Sequence, residues 1–242
     1  MSATEATAAT WHDVECGGYD ADLPLWEELA ERQGGPVLEL GCGTGRVALH
    51  LARRGHTVYA LDREPLLLGS LIERAEGLDV EPMAVDGREY QLPEAVSLAL
   101  APMQFLQLLP DREARLACLR RATAALRPGG LLAAALVESL PRPEGALPPL
   151  PDVREVDGWV YSSLPVAAVT ADGRIVLRRL RQTVSPAGEL REEEDEVELQ
   201  AFPAEALEAE AASVGLLPAG RRSVPATEAH VGSVVVLLER SA

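Results

Sequence analysis

Glu39, Gly41, Gly43 and Gly45 occupy alternate positions in the run Val37-Leu38-Glu39-Leu40-Gly41-Cys42-Gly43-Thr44-Gly45-Arg46. A short apolar stretch leads into the glycines, and an amphipathic segment, Val47 to Arg54, follows at once. Strand, bend and helix in that order make a nucleotide-binding turn. The missing side chains let a ligand lie against the peptide groups, and the first N–H groups of the helix are free to meet it. Three ligands compete for such a turn. A phosphate-cradling loop needs Lys and then Ser or Thr after its last glycine, and Arg46-Val47 stand there instead. The dinucleotide fingerprint G-x-G-x-x-G/A is met in its alanine form by Gly43-Thr44-Gly45-Arg46-Val47-Ala48, with an acid, Asp62, ending the next apolar stretch. Glu39 argues against that ligand. A carboxylate at the carboxyl end of this strand, pointing toward the cleft, repels a pyrophosphate and suits a molecule that carries an ammonium group and no phosphate.

On these residues the sequence resembles the class I S-adenosylmethionine-dependent methyltransferases, whose first motif, E/D-x-G-x-G-x-G, reads here Glu39-Leu40-Gly41-Cys42-Gly43-Thr44-Gly45. Other landmarks keep the family's order: Val58-Tyr59-Ala60-Leu61-Asp62 as a second strand ending in an acid, Val80 to Gly87 as a third strand and its turn, and Ala124 to Leu132 as a helix end, a Pro-Gly-Gly turn and a fifth strand. The resemblance covers roughly residues 18 to 138. It implies that Glu39 holds the methionine ammonium, directly or through water, while Gly41, Gly43 and Gly45 let the ligand approach and Cys42 offers backbone contact and small volume. Asp62 would bind the ribose hydroxyls, Arg63 flank the adenine and Asp86 take its amino group, with Gly87 and Arg88 closing the pocket. Arg46 and Ala101 complete the implied cofactor set. Tyr19 stands where relatives have an aromatic that reaches the methionine end of the cofactor. Met103, Gln104 and Glu138 follow the carboxyl ends of the fourth and fifth strands, where ligands gather in open α/β sheets, and are the expected substrate-lining residues. The implied cofactor is S-adenosylmethionine, leaving as S-adenosylhomocysteine.

The sulfonium methyl is already activated, so orientation and exclusion of water do most of the work. An amine acceptor must still lose a proton, and no residue is an unambiguous base. His50 and His56 read as solvent or structural residues. His12 and His230 are the less improbable bases.

At 242 residues and 25.8 kDa the chain holds one full α/β domain with a small addition. A net charge of −16 and a pI near 4.7 set its average field against nucleic acid and anionic membranes. The Asn/Asp-Pro-Pro-Tyr signature of enzymes that methylate nucleic acid bases is missing, Ala101-Pro102-Met103-Gln104 standing in its place. All 22 strong cations are arginine; the absence of lysine excludes a Schiff-base lysine and hence ordinary pyridoxal phosphate chemistry, and the absence of asparagine excludes N-glycosylation. Such usage follows GC-rich bacterial coding. Three cysteines without ligand spacing suggest a reducing compartment and no metal site. No membrane-length apolar span and no secretory signal is read, so a cytoplasmic location is expected.

These residues need a scaffold, and the pattern supplies an α/β one: a three-layer Rossmann-like sandwich with a seven-stranded, mainly parallel sheet whose last strand is antiparallel. Residues 1 to 18 lack a stable period and read as a flexible arm; 19 to 242 read as one domain. Asp22 is the expected cap of a first helix with Pro24 in its opening turn, and Asp111 the cap of a later one. A proline-dense stretch, Pro141 to Pro151, breaks the α/β rhythm. Beyond it the period falls to two, giving an inserted antiparallel β segment at about 152–201 with turns at Ala171-Asp172-Gly173 and Ser185-Pro186-Ala187-Gly188. A register with Val184 opposite Glu189 sets Arg181 against Glu192, Arg179 against Glu194 and Arg178 against Asp195. The architecture is like that of glycine and amino-sugar N-methyltransferases, where such an insertion covers the site or joins two subunits. The expected partner is a small-molecule substrate, with a homodimer through the insertion left open. The reading is methyl transfer to nitrogen or oxygen; a non-catalytic cofactor-binding protein and an NAD-dependent oxidoreductase are the rivals.

Overall fold

The computed structural model describes residues 3–138, 150–227 and 230–241, with side chains from residue 8 onward. Its main sheet is built from β1 (Val37–Leu40), β2 (Val58–Asp62), β3 (Val80–Ala84), β4 (Val96–Ala101), β5 (Leu126–Leu136), β10 (Leu216–Val224) and β11 (Ser233–Arg240), in the order β10-β11-β5-β4-β1-β2-β3. The strands from β3 to β5 are parallel, and β11 runs antiparallel to both its neighbours. The expected seven-stranded sandwich is therefore present. β1 is bonded to β2 on one side and β4 on the other, so strand order reverses at β1 and a crevice opens beyond its carboxyl end.

All four residues of β1 are buried, as both faces of a central parallel strand must be. Period-two alternation sends Val37 and Glu39 to one face, and Leu38 and Leu40 to the other. The first face is closed by α2 (Leu23–Gln33) and α3 (Arg46–Ala52) through Trp26, Leu29, Val47 and Leu51. The second is closed by α5 (Arg112–Ala125) and α6 (Ala204–Ala212) through Leu119, Leu207 and Ala211. Asp111 caps α5 as expected, accepting from the Ala114 N–H at 2.8 Å. Asp22 does not act as expected. It stands at the start of α2 without a side-chain cap bond, because its carboxylate takes a two-pronged contact from Arg46 at 2.6 and 2.8 Å. A charged, bidentate partner outweighs one neutral capping bond.

β6 (Asp152–Val156), β7 (Trp159–Ala171), β8 (Arg174–Val184) and β9 (Leu190–Gln200) form a separate antiparallel sheet at the expected insertion. Its register differs from expectation by one residue: Val184 faces Leu190, so Arg181 meets Glu193, Arg179 meets Asp195 and Arg178 meets Glu196. The Ser185 N–H donates to the Glu189 carbonyl at 2.9 Å and closes the turn one residue later. The slip matters little to exposed pairs but decides which acids of β9 share a face with Arg179 and Arg181. One face of this sheet exposes Val153, Val160, Val169 and Leu190, whereas Tyr161, Ser163, Arg179 and Arg181 lie on the other. Of the proline-dense stretch, residues 141–149 lie outside the described residues.

The inner face meets α1 (Ala3–Cys16), which replaces the irregular arm expected at the N-terminus. The helix has no clean apolar stripe, so its stability is tertiary. Trp11 packs edge-on against Tyr161, with ring centroids 5.4 Å apart, and Glu15 takes Arg181 at 2.7 and 2.8 Å and Ser163 at 2.9 Å.

Two buried polar contacts tie the layers together. Arg115 on α5 holds Glu210 on α6 through bonds of 2.6 and 2.8 Å, its guanidinium stacked on Phe202. Gln107, fully buried, exchanges bonds with Val137 in the manner of a strand, donating to its carbonyl at 3.0 Å and accepting from its N–H at 2.8 Å, and also donates to the Gln200 carbonyl at 2.9 Å. Removing one member of the first pair leaves a buried charge alone. Glu210→Ala is expected to lower unfolding free energy by about 3 to 5 kcal/mol in urea titrations. Arg178→Ala, on an exposed pair, should leave the urea midpoint essentially where it is.

Candidate active site

The turn after β1 is held from below and from the side. The Cys42 N–H donates to the Leu61 carbonyl at 2.9 Å, and the Gly43 N–H donates to Asp62 Oδ2 at 2.8 Å. Asp62 Oδ1 accepts from the Glu64 N–H at 3.0 Å, so the carboxylate at the end of β2 is fixed by two backbone groups. Gly41 and Gly43 have φ of 71° and 54°, where side chains are strained. A methyl group would also collide with the Phe105 ring at Gly41 and with the His12 ring at Gly43. Gly45 begins α3, also with positive φ.

Glu39 is 2 % exposed and lies on the face covered by α3, rather than open to the crevice. Burial raises its carboxyl to about 8, against the charge of Arg46 and the backbone N–H of Ala48. Its Oε2 has no hydrogen-bond partner. Cys42 beside it is also pushed far up by burial and then by the charges of Glu39 and Asp62, so this thiol is held protonated.

Arg46 leaves the turn sideways. Besides Asp22 it donates to the Tyr19 carbonyl at 2.8 Å, and its guanidinium sits 5.1 Å from the Tyr19 ring centre. Tyr19 is buried with its hydroxyl close to Ser233 but without a well-formed hydrogen bond. On the other side of the turn, Arg88 embraces Asp86 with bonds of 2.8 and 2.7 Å from its side chain and 2.8 Å from its N–H, and these hold the Asp86 carboxyl below its ordinary value. Gly87 faces the Phe105 ring, where a methyl group would stand 3.0 Å from Cζ. Arg63 is exposed and paired with Glu64. Ala101 is buried at the end of β4.

Past Ala101 the chain makes a corner of two non-glycine residues with positive φ, Met103 at 45° and Gln104 at 61°. Consecutive strained residues at the carboxyl end of a central strand are a mark of a working site. Gln104 donates to Ser233 Oγ at 3.2 Å. Glu138 instead accepts the Ala204 N–H at 2.7 Å and caps α6. The glycine turn, Asp62, Asp86 and the Met103-Gln104 corner thus stand at the carboxyl ends of β1, β2, β3 and β4, Glu39 is buried beneath the turn, and Glu138 has a structural partner.

Two contributors, Phe105 and Asp13, were absent from the sequence reading, and a third, His12, was named there only as a candidate base. Phe105 bridges Gly41 and Gly87 from the corner after β4. Asp13 accepts from Thr44 Oγ1 at 2.6 Å and from Arg74 at 3.0 Å, pinning α1 to the turn. Burial works to raise Asp13, but the bonds from Arg74 and Thr44 outweigh it and hold the carboxyl low. His12, bonded to Thr44 at 3.2 Å, is kept below its ordinary value by burial, against Asp13, Asp62 and Glu15. No local motif marks these residues.

The description of a methyltransferase domain matches residues 37–130, which include the turn, Asp62, Asp86 and the corner after β4. Over this part its sequence is similar to that of methyltransferase domains. The ubiquinone biosynthesis O-methyltransferase of Escherichia coli is 33 % identical over 138 residues, 52 % of this chain and 55 % of that protein, so the chain spans about half the length of the curated relatives it matches. Among solved structures, the domain and its insertion together resemble CalS10, an amino pentose methyltransferase from Micromonospora echinaspora, with a TM-score of 0.73, 19 % identity and coverage of 98 % of this chain and 97 % of that one. The sugar N-methyltransferase KedS8 from Streptoalloteichus gives 0.76 at 16 % identity, covering 98 % and 93 %. At these identities the likeness is one of fold.

The acid buried beneath the glycine turn makes a pH signature. Glu39 is raised from an ordinary 4.5 to about 8, so between those values the unfolded chain releases a proton that the folded chain keeps. The sign follows: its contribution is present below 4.5 and is lost as pH rises toward 8. Glu39→Gln removes the loss. Urea titrations should show the variant gaining on the parent across that range, and a constant difference would overturn the assignment.

Proposed function

We propose that this protein transfers a methyl group from S-adenosylmethionine to a small molecule. The observation that carries the reading is the glycine turn itself: peptide groups bared at Gly41 and Gly43, a carboxylate buried beneath them at Glu39 and a second one aimed at them from Asp62. The residues suit this cofactor. Glu39 Oε2 lacks a partner, the turn is a cradle that side chains would fill, and the acids around it favour an ammonium over a diphosphate.

In this reading Glu39 serves the amino-acid end of the cofactor, directly or through water, and Tyr19 and Arg46 border it. Asp62 takes the ribose. Asp86, Gly87, Arg88 and Arg63 enclose the base, with Ala101 at the end of β4 and Cys42 in the turn completing the wall. When bound, the cofactor supplies an activated methyl electrophile. The chain's own part is to orient donor and acceptor and to exclude water, through α1 above the turn and Phe105 across it. Met103 and Gln104 line the acceptor side.

An amine is the favoured acceptor, because structural relatives that match nearly the whole chain include an amino pentose methyltransferase and a sugar N-methyltransferase. Residues 19–242 act as one unit here, and the first 18 form its N-terminal arm. Among the described residues no helix is long and apolar enough to cross a membrane. A cytoplasmic location, no affinity for nucleic acid, and a homodimer through the exposed valines of the insertion belong to the same reading.

Calorimetry with the purified protein should show S-adenosylmethionine binding. Asp62→Ala should weaken it by tenfold or more, on the order of the 1.5 to 3 kcal/mol of a hydrogen bond to a charged group. A folded protein that binds no S-adenosylmethionine would remove the proposal.

A further inference from the structure

His230 stands at the entrance to β11, with its ring 4.8 Å from that of Tyr19 and inclined by 37°. Tyr19 is held in turn by Arg46, the residue that follows the glycines, so one side chain separates His230 from the turn. The start of β11 is also bound to the strained corner after β4, through Gln104 and Ser233. The wall opposite comes from the insertion. Asp152 on β6 lies within electrostatic reach of His230 and 3.6 Å from Arg179 on β8.

Two side chains of this corner hold polar groups short of a well-formed hydrogen bond, although Ser233 lies near the Tyr19 hydroxyl and Asp152 near Arg179. The Tyr19 hydroxyl, on a residue 7 % exposed, makes no hydrogen bond, and neither do Nε and Nη1 of Arg179. Buried polar groups are rarely left so, and a polar ligand is the partner that would satisfy them. Histidine placement points the same way. His12 is bonded to Thr44 under α1, His50 is bonded to Glu27 on the outer side of α3, and His56 precedes β2. The His230 ring nitrogens make no hydrogen bond within the described residues; only its backbone is engaged, its N–H donating to Thr227 Oγ1 and its carbonyl accepting from the Thr227 N–H.

We propose that His230 accepts the proton of an amine acceptor, while Asp152 holds that amine in place through its ammonium form. This rests on the methyl-transfer reading above. An ammonium has no lone pair to attack with. One N–H bond breaks, its proton passing to an imidazole nitrogen of His230, and the freed pair remains on the amine nitrogen. That pair then forms the bond to the methyl carbon as the sulfur–carbon bond breaks, and the electrons of the broken bond stay on sulfur. The products are a methylated ammonium, an imidazolium and a neutral thioether. Tyr19 and Arg179 would meet hydroxyl or anionic groups on the body of the acceptor.

The test uses the full chain with S-adenosylmethionine and a panel of D-glucosamine, D-galactosamine, glycine and methylamine, beside D-glucose and D-galactose as hydroxyl controls. Methylated products are read by mass spectrometry. His230→Asn is expected to lower kcat by about 100-fold or more, as loss of a proton acceptor does, with S-adenosylmethionine affinity unchanged in calorimetry. Added imidazole should restore part of the rate in His230→Ala. Asp152→Asn should raise KM for the amine and leave kcat within about threefold. Retained kcat in a His230→Asn protein that binds S-adenosylmethionine would overturn the inference. So would binding of S-adenosylmethionine by the parent with no amine methylated, an outcome that leaves the donor assignment standing. Absence of S-adenosylmethionine binding in the parent would overturn both.

Discussion

The Asp13 carboxylate decides how the parts of this molecule meet. It sits on a helix whose own sequence has little reason to be ordered, and it receives Thr44 from the glycine turn, Arg74 from α4 (Pro65–Arg74) and Arg154 from the insertion. One buried acid therefore joins three pieces of chain that share no backbone contact. Two of its partners are charged, so hydrogen bonding compensates the cost of burial. Through this contact α1 becomes the roof of the turn and the floor of the inserted sheet. Without it, His12 would have no reason to lie against Gly43.

Arginine chemistry runs through the rest of the architecture. With no lysine in the chain, every strong side-chain cation is a planar fork able to grip both oxygens of a carboxylate. The pairs that count are the buried ones: Arg46 with Asp22, Arg115 with Glu210, Arg181 with Glu15. Each joins elements far apart in sequence. The pairs along the outer side of β8 and β9, such as Arg178 with Glu196, are exposed and fix little beyond register. A net charge of −16 is thus compatible with a site whose immediate neighbourhood is rich in arginine.

The turn, the strands beside it and the limits of the insertion were legible because their signals are local: alternate glycines, apolar runs that end in acids, and a change of period from helical to two. What sequence could not supply was whatever depends on a distant partner. Residues 3–16 carry no amphipathic stripe, and their helix exists through Trp11, Asp13 and Glu15 reaching other elements. Asp22 looked like a cap because nothing nearby reveals Arg46 as its partner. The hairpin register missed by one residue because the closing bond falls at Glu189 and leaves Val184 to face Leu190. Phe105 had no motif at all. It follows two residues with positive φ, and that corner determines where its ring goes.

Gln107 gives the insertion a mechanical link to the crevice. Its amide grips Val137, the residue after β5, and the last residue of β9 at Gln200, while its backbone belongs to the short turn, Phe105–Gln107, that carries the aromatic ring across Gly41. The inserted sheet and the ring over Gly41 thus depend on one three-residue turn, so a substitution that loosens the Gln107 amide loosens the seating of both.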